Sequence, residues 1–84
     1  MSKYPKLIRK PAVLDRYPVS TTTLYKQMNQ GIFPPNVSMG GHSVAWIEFE
    51  VDAVIAAIAR GINQAALEQL VAELVAKRNE LRGT

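Results

Sequence analysis

Residues 18–33 read PVSTTTLYKQMNQGIF, and how this stretch folds decides the architecture of the whole chain. Ser20 is a strong helix N-cap, because its hydroxyl can accept from the free N–H groups of a first turn. A helix is expected over residues 21–30, with Gly31 as the left-handed residue past its C-cap. Three consecutive β-branched threonines are poor helix formers. In a first turn they are tolerable, because their hydroxyls can cap the helix or touch an anion. Leu24 and Met28, four apart, point toward a core. Thr22, Tyr25, Lys26 and Asn29 share another face, since spacings of three and four stack on a helix. That face is polar, donor-rich and cationic, as a helix reading base edges and holding phosphates in a DNA major groove must be.

The flanks supply the partners such a helix needs. Upstream, Lys6 to Arg9 is short and apolar in its middle, a brief strand or an extended arm. Pro11 suits a first helical position, where its missing N–H costs nothing, and Ala12, Val13 and Leu14 carry that helix to about Arg16. Tyr17 ends it, because a residue before proline avoids the helical region. Two short helices divided by a tight turn make a helix-turn-helix. Downstream, Val37 to Met39 and Val44 to Ile47 are strand-like runs separated by Gly40-Gly41-His42-Ser43, which signals a hairpin. A helix-turn-helix followed by a hairpin predicts a mainly α fold with a small β wing, a winged helix-turn-helix.

Two further helices are expected. Val51, Val54, Ile55 and Ile58 fall at i, i+3, i+4 and i+7, an amphipathic stripe over residues 49–60. Glu48, Glu50 and Asp52 lie in or near its first turn, where the helix dipole favours anions. Gly61 can end it and Asn63 can cap the next helix, over residues 64–82. The last helix carries Leu67, Leu70, Val71, Leu74 and Leu81. That stripe could fold back on the chain's own core or pair with a second copy; its length points to self-association, with symmetric pairing the default geometry. Lys77 and Arg78 interrupt it, against a long regular coiled coil. The chain thus divides into a DNA-binding domain, residues 1–61, and a C-terminal self-association helix, residues 62–84.

Charge is distributed unevenly. Residues 1–47 hold six lysines and arginines against one acid, whereas residues 48–84 hold four against six. A basic half favours a polyanion on one side of the molecule. With 84 residues and no cysteine, a single small domain without disulfides or thiolate metal sites is expected, in keeping with the cytoplasm. No apolar run reaches the roughly 18 residues a membrane span needs, and the basic N-terminus lacks the apolar core of a signal peptide. His42 is the only histidine, and no nucleophile–base pair, paired carboxylates or phosphate loop accompanies it. An enzyme, a metal site and a cofactor are therefore not expected.

With the helix and the wing both in view, the chain resembles the AlpA-type phage regulatory proteins, small prophage DNA-binding proteins related to excisionases and to the winged domain of the MerR class. The matching pieces are STTTLYK (20–26), GIFPP (31–35), GGHSVAWIE (40–48) and EVDAVI (50–55), in one order across about Leu7 to Gly61. The resemblance implies double-stranded DNA as ligand and a role in excision beside a cognate integrase, in transcriptional control, or in both. Carried over by position, Thr21, Thr22, Tyr25 and Lys26 would face DNA, with the wing at Gly41, His42 and Ser43 and with Trp46 in the core. Ser20 would join them at the helix start. Arg9, Lys10 and Arg16 surround the first helix of the motif, which crosses the phosphates. The family commonly carries Arg or Lys where Thr21 stands, Arg where His42 stands, Gly where Pro18 stands and Ser where Phe49 stands. With fewer cations on the reading face, each protomer is expected to bind modestly and to gain from cooperative binding at repeated sites. The rival from another class is a protein-interaction module, such as an antirepressor, acting through the C-terminal helix.

Overall fold

Four helices and three short strands follow one another in the computed structural model, which describes residues 5–78. In chain order they are β1 (Leu7–Ile8), α1 (Lys10–Arg16), α2 (Thr21–Asn29), β2 (Val37–Ser38), β3 (Val44–Ile47), α3 (Glu48–Ala59) and α4 (Gln64–Ala76). The strands form one antiparallel sheet in the order β1-β3-β2. The fold is a winged helix-turn-helix, mainly helical, with the β2–β3 hairpin as its wing and α4 appended.

Segment 6–9, left between strand and arm by its sequence, holds the two-residue strand β1. Leu7 pairs with Ile47 and Ile8 with Trp46, and the Glu48 amide extends the ladder by donating to the Lys6 carbonyl at 2.9 Å. The first strand thus closes the outer side of β3, which becomes the central strand and is largely buried. Alternation along β3 sends Val44 and Trp46 to one face and Ala45 and Ile47 to the other.

Local chemistry sets the helix ends. After α2 the Gly31 amide donates to the Met28 carbonyl at 3.2 Å and the Ile32 amide to the Gln27 carbonyl at 3.1 Å. This paired closure needs a residue at positive φ, and Gly31 supplies it at +77°. The same two bonds recur after α3, at Gly61 and Ile62. Asn63 then caps α4, its side chain accepting from the Ala66 amide at 2.8 Å. The turn from α3 to α4 is therefore short, and the two helices pack antiparallel-fashion, as short connections between helices dictate.

Ile8, Val13, Leu24, Phe33, Trp46, Val51, Val54, Ala57, Leu67 and Val71 form one core. Every element except β2 contributes to it or to the segments joining it. On α3 the buried residues are Glu50, Val51, Val54 and Ala57. The expected stripe is rotated: Ile55 is only half-buried and Ile58 is exposed.

The expectation for α4 is corrected here. Leu67 and Val71 are buried in the chain's own core, and Leu70 and Leu74 pack against it. The stripe assigned to a second copy is therefore occupied within the protomer, because α4 folds back along α3. Leu81 lies outside the described residues. The outward face of α4 is small and acidic instead, with Ala65, Glu68, Gln69, Ala72, Glu73 and Ala76 around a shallow groove.

Arg78, just past α4, locks this arrangement. Its Nε donates to Glu50 Oε2 at 2.8 Å and its Nη2 to Glu50 Oε1 at 2.5 Å. The same Nη2 donates to the Pro35 carbonyl at 2.9 Å. Glu50 is fully buried, so its charge is sustained by this two-point grip. The residue expected to break the helical seam in fact ties α4, α3 and the loop after α2 together.

Candidate nucleic-acid interface

The reading face predicted on α2 is presented to solvent. Thr21, Thr22, Tyr25, Lys26 and Asn29 are all exposed, while Leu24 is fully buried and Met28 partly so. The opposite side of the helix is held in three ways. Leu24 sits in the core, Gln27 Oε1 accepts from the Tyr17 hydroxyl at 2.6 Å, and the Tyr17 ring stacks on Phe33 at 5.0 Å between centroids. Tyr17, the residue that stops α1, thus fixes α2 relative to the turn.

Ser20 acts as the cap. Its hydroxyl accepts from the Thr23 amide at 3.1 Å and donates to Thr23 Oγ1 at 2.9 Å. Its contribution to the face is to start the helix.

Tyr25 packs edge-on against buried Trp46, 6.4 Å between centroids and 66° between planes, a favoured aromatic geometry. Trp46 therefore forms a platform linking the wing strand to the reading helix. Helical spacing carries no trace of that contact, which spans two elements. The indole Nε1 is buried and has no hydrogen-bond partner among the described residues.

In the wing, the Met39 amide donates to the Ser43 carbonyl at 2.9 Å and the Ser43 amide to the Gly40 carbonyl at 3.0 Å. Gly41 takes φ +55° at the first central position of this turn, which a side chain would disfavour. His42 occupies the exposed tip.

Three segments meet beside α2. Arg9, Lys10 and Pro11 at the start of α1, Tyr25 on α2, and His42 and Val44 on the wing line one cleft of about 290 Å³. Four residues singled out in the sequence, from positions 9 to 42, converge there. Arg9, Lys10 and Lys26 form no ion pair with a described residue. A basic cleft continuous with a donor-rich helix is suited to a polyanion.

Arg16 is placed elsewhere. Its guanidinium faces the start of α3, 2.7 Å from Glu48 and 3.1 Å from Asp52, and Lys6 stands 3.7 Å from Glu48. Its charge is balanced there by carboxylates, which braces α1 against α3 instead of leaving a cation for phosphate. The Arg16 hydrogen bond, aided by Lys6, holds the Glu48 carboxyl below its ordinary value of 4.5, against the opposing effect of desolvation. The same bond raises Arg16. A depressed carboxyl stabilises the fold above its unfolded value, and that contribution is lost as pH falls through the folded one. Glu48→Gln should therefore lower the melting temperature by a constant amount above pH 4.5. The gap to the parent should close at lower pH. Melts at pH 7 and pH 3 check this; a pH-independent gap would mean the ion pair is not its cause.

Among the described residues no helix is long and apolar enough to cross a membrane. Residues 6–57 match the model of the family described as Prophage CP4-57 regulatory protein (AlpA). A relative in Enterobacteria phage P4, the uncharacterized protein ORF88, is 41% identical over 51 residues. That match covers 61% of this chain and 58% of the phage P4 protein. All three segments of the interface, the start of α1, the reading helix and the wing, fall inside the family match. All of α4 falls outside it.

Proposed function

This chain belongs to the AlpA family of prophage regulatory proteins, and we propose that it regulates by binding double-stranded DNA in a sequence-specific manner. The observation that carries this is the continuity of one exposed face. Thr21, Thr22, Tyr25, Lys26 and Asn29 on α2 run into a cleft edged by Arg9, Lys10 and His42. A major groove about 12 Å wide admits a helix with side chains of this size. Thr22 reads base edges, Lys26 meets a phosphate or a guanine, and the wing at Gly41, His42 and Ser43 follows the adjacent backbone. The regulatory outcome is excision of the element alongside a cognate integrase, control of transcription, or both from one site. No catalytic group or cofactor is needed for either.

Affinity per protomer is modest, because the reading helix itself carries a single cation. About four phosphate contacts give a log–log salt slope near −4. Fluorescence anisotropy on a duplex from the DNA flanking its own gene tests this. Lys26→Ala should flatten the slope by about one unit and weaken binding to every sequence alike. Thr22→Ala should leave the slope unchanged and relax sequence choice. Duplex binding that neither substitution alters would show that another face is used.

A further inference from the structure

We infer that the cleft between the start of α1, Tyr25 and the wing tip is a seat for a single backbone phosphodiester of the bound duplex, gripped jointly by Arg9, Lys10 and His42. The inference rests on the DNA-binding reading and deepens it, because it makes α1 and the wing one clamp instead of two independent contacts. The cleft, of about 290 Å³, has room for an occupant the size of a phosphodiester. Chemistry sets its charge. Two permanent cations, an imidazole and a phenol line the space, and no acidic side chain does. Pro11 and Val44 supply the apolar remainder, which lowers the local dielectric and strengthens the attraction for an anion.

The seat is built by the fold. Val44 and Trp46 lie on one face of β3, and Tyr25 rests on Trp46, so the wing and the reading helix share a platform. Arg9 follows directly on β1, which pairs with the Trp46 register of β3. All three edges of the cleft are therefore fixed to the same strand. A phosphate held there sets the register of α2 on the duplex, since backbone contacts position a protein and base contacts specify its site.

Ethylation interference on a duplex selected by the full chain from a random-sequence pool tests this, with Arg9→Gln and His42→Gln as variants. Both positions are exposed, and circular dichroism verifies that the variants fold. Each variant should bind about five- to tenfold more weakly, and both should lose sensitivity to ethylation at one and the same phosphate. Loss at two different phosphates, or at none, overturns the shared seat while leaving DNA binding intact. Failure of the pool to yield any bound duplex overturns both readings. Inorganic phosphate separates the remaining source. If it fills the cleft at micromolar concentration, followed by the His42 ring resonances, the site is for the free ion and the proposal falls.

Discussion

Arg78→Ala is expected to destabilise the fold by about 3–5 kcal/mol, because it leaves the fully buried Glu50 carboxylate without its counter-charge. In a domain of this size that lowers the melting temperature by at least about 12 °C. The loss has a specific signature. Replacing both partners by apolar residues, Glu50→Leu with Arg78→Met, removes the uncompensated charge along with the ion pair and should recover most of the stability. If the double variant is as unstable as Arg78→Ala, the loss comes from packing at the end of α4 and not from the buried charge. Thermal melts of the three proteins decide between these. The ion pair also ties α4 to the rest of the fold: Arg78 reaches Glu50 on α3 and the Pro35 carbonyl in the loop that follows α2.

The second large effect is expected at Trp46, which is completely buried and joins the core to the reading face. Trp46→Ala should cost about 3–5 kcal/mol through the cavity it leaves. It should weaken DNA binding as well, because Tyr25 loses the ring it rests on. Trp46→Phe should cost no more than about 1 kcal/mol. It forfeits part of the ring but also removes the orphaned indole N–H, whose burial carries a penalty of about 1–3 kcal/mol. Denaturant unfolding and duplex affinity, measured on both variants, check the pair. Equal losses for Ala and Phe would mean that the indole nitrogen has a partner that matters.

The parts legible from the sequence were those written in local chemistry. Ser20, Gly31, Gly61 and Asn63 announce helix ends through hydroxyl, amide and left-handed glycine, and each sits where such a residue is needed. Gly40 and Gly41 mark the wing in the same way. What depends on tertiary context was harder to read. A two-residue strand such as β1 is decided by the free edge of β3, not by Leu7 and Ile8 themselves. The spacing of Leu67, Leu70, Val71 and Leu74 is the same whether the stripe meets its own core or another copy. Only the short turn after α3 and the reach of Arg78 select the first. The apolar residues of α3 are too evenly spread to orient it, so the spacing points Ile58 inward although it lies outward. The ion pairs of Arg16 leave no local trace, since its carboxylates stand 32 and 36 positions away.

For the interface the division is similar. The exposure of Thr22, Tyr25, Lys26 and Asn29 follows from helical periodicity around Leu24. Their junction with Arg9, Lys10 and His42 follows only from the sheet, which brings the start of α1 and the hairpin tip to one side of α2. The family match covers all of these elements. Among the outward-facing positions of α4, the acidic and small residues around Glu68 and Glu73 carry the wrong charge for a polyanion.

The most direct measurement is a map of backbone amide resonances of the full chain as duplex DNA is added. The largest shifts should fall on residues 21–26, on Arg9 and Lys10, and on residues 41–43, with the outer face of α4 from Ala65 to Ala76 unmoved. Shifts confined to α4, or none along α2 at saturating duplex, would contradict the account.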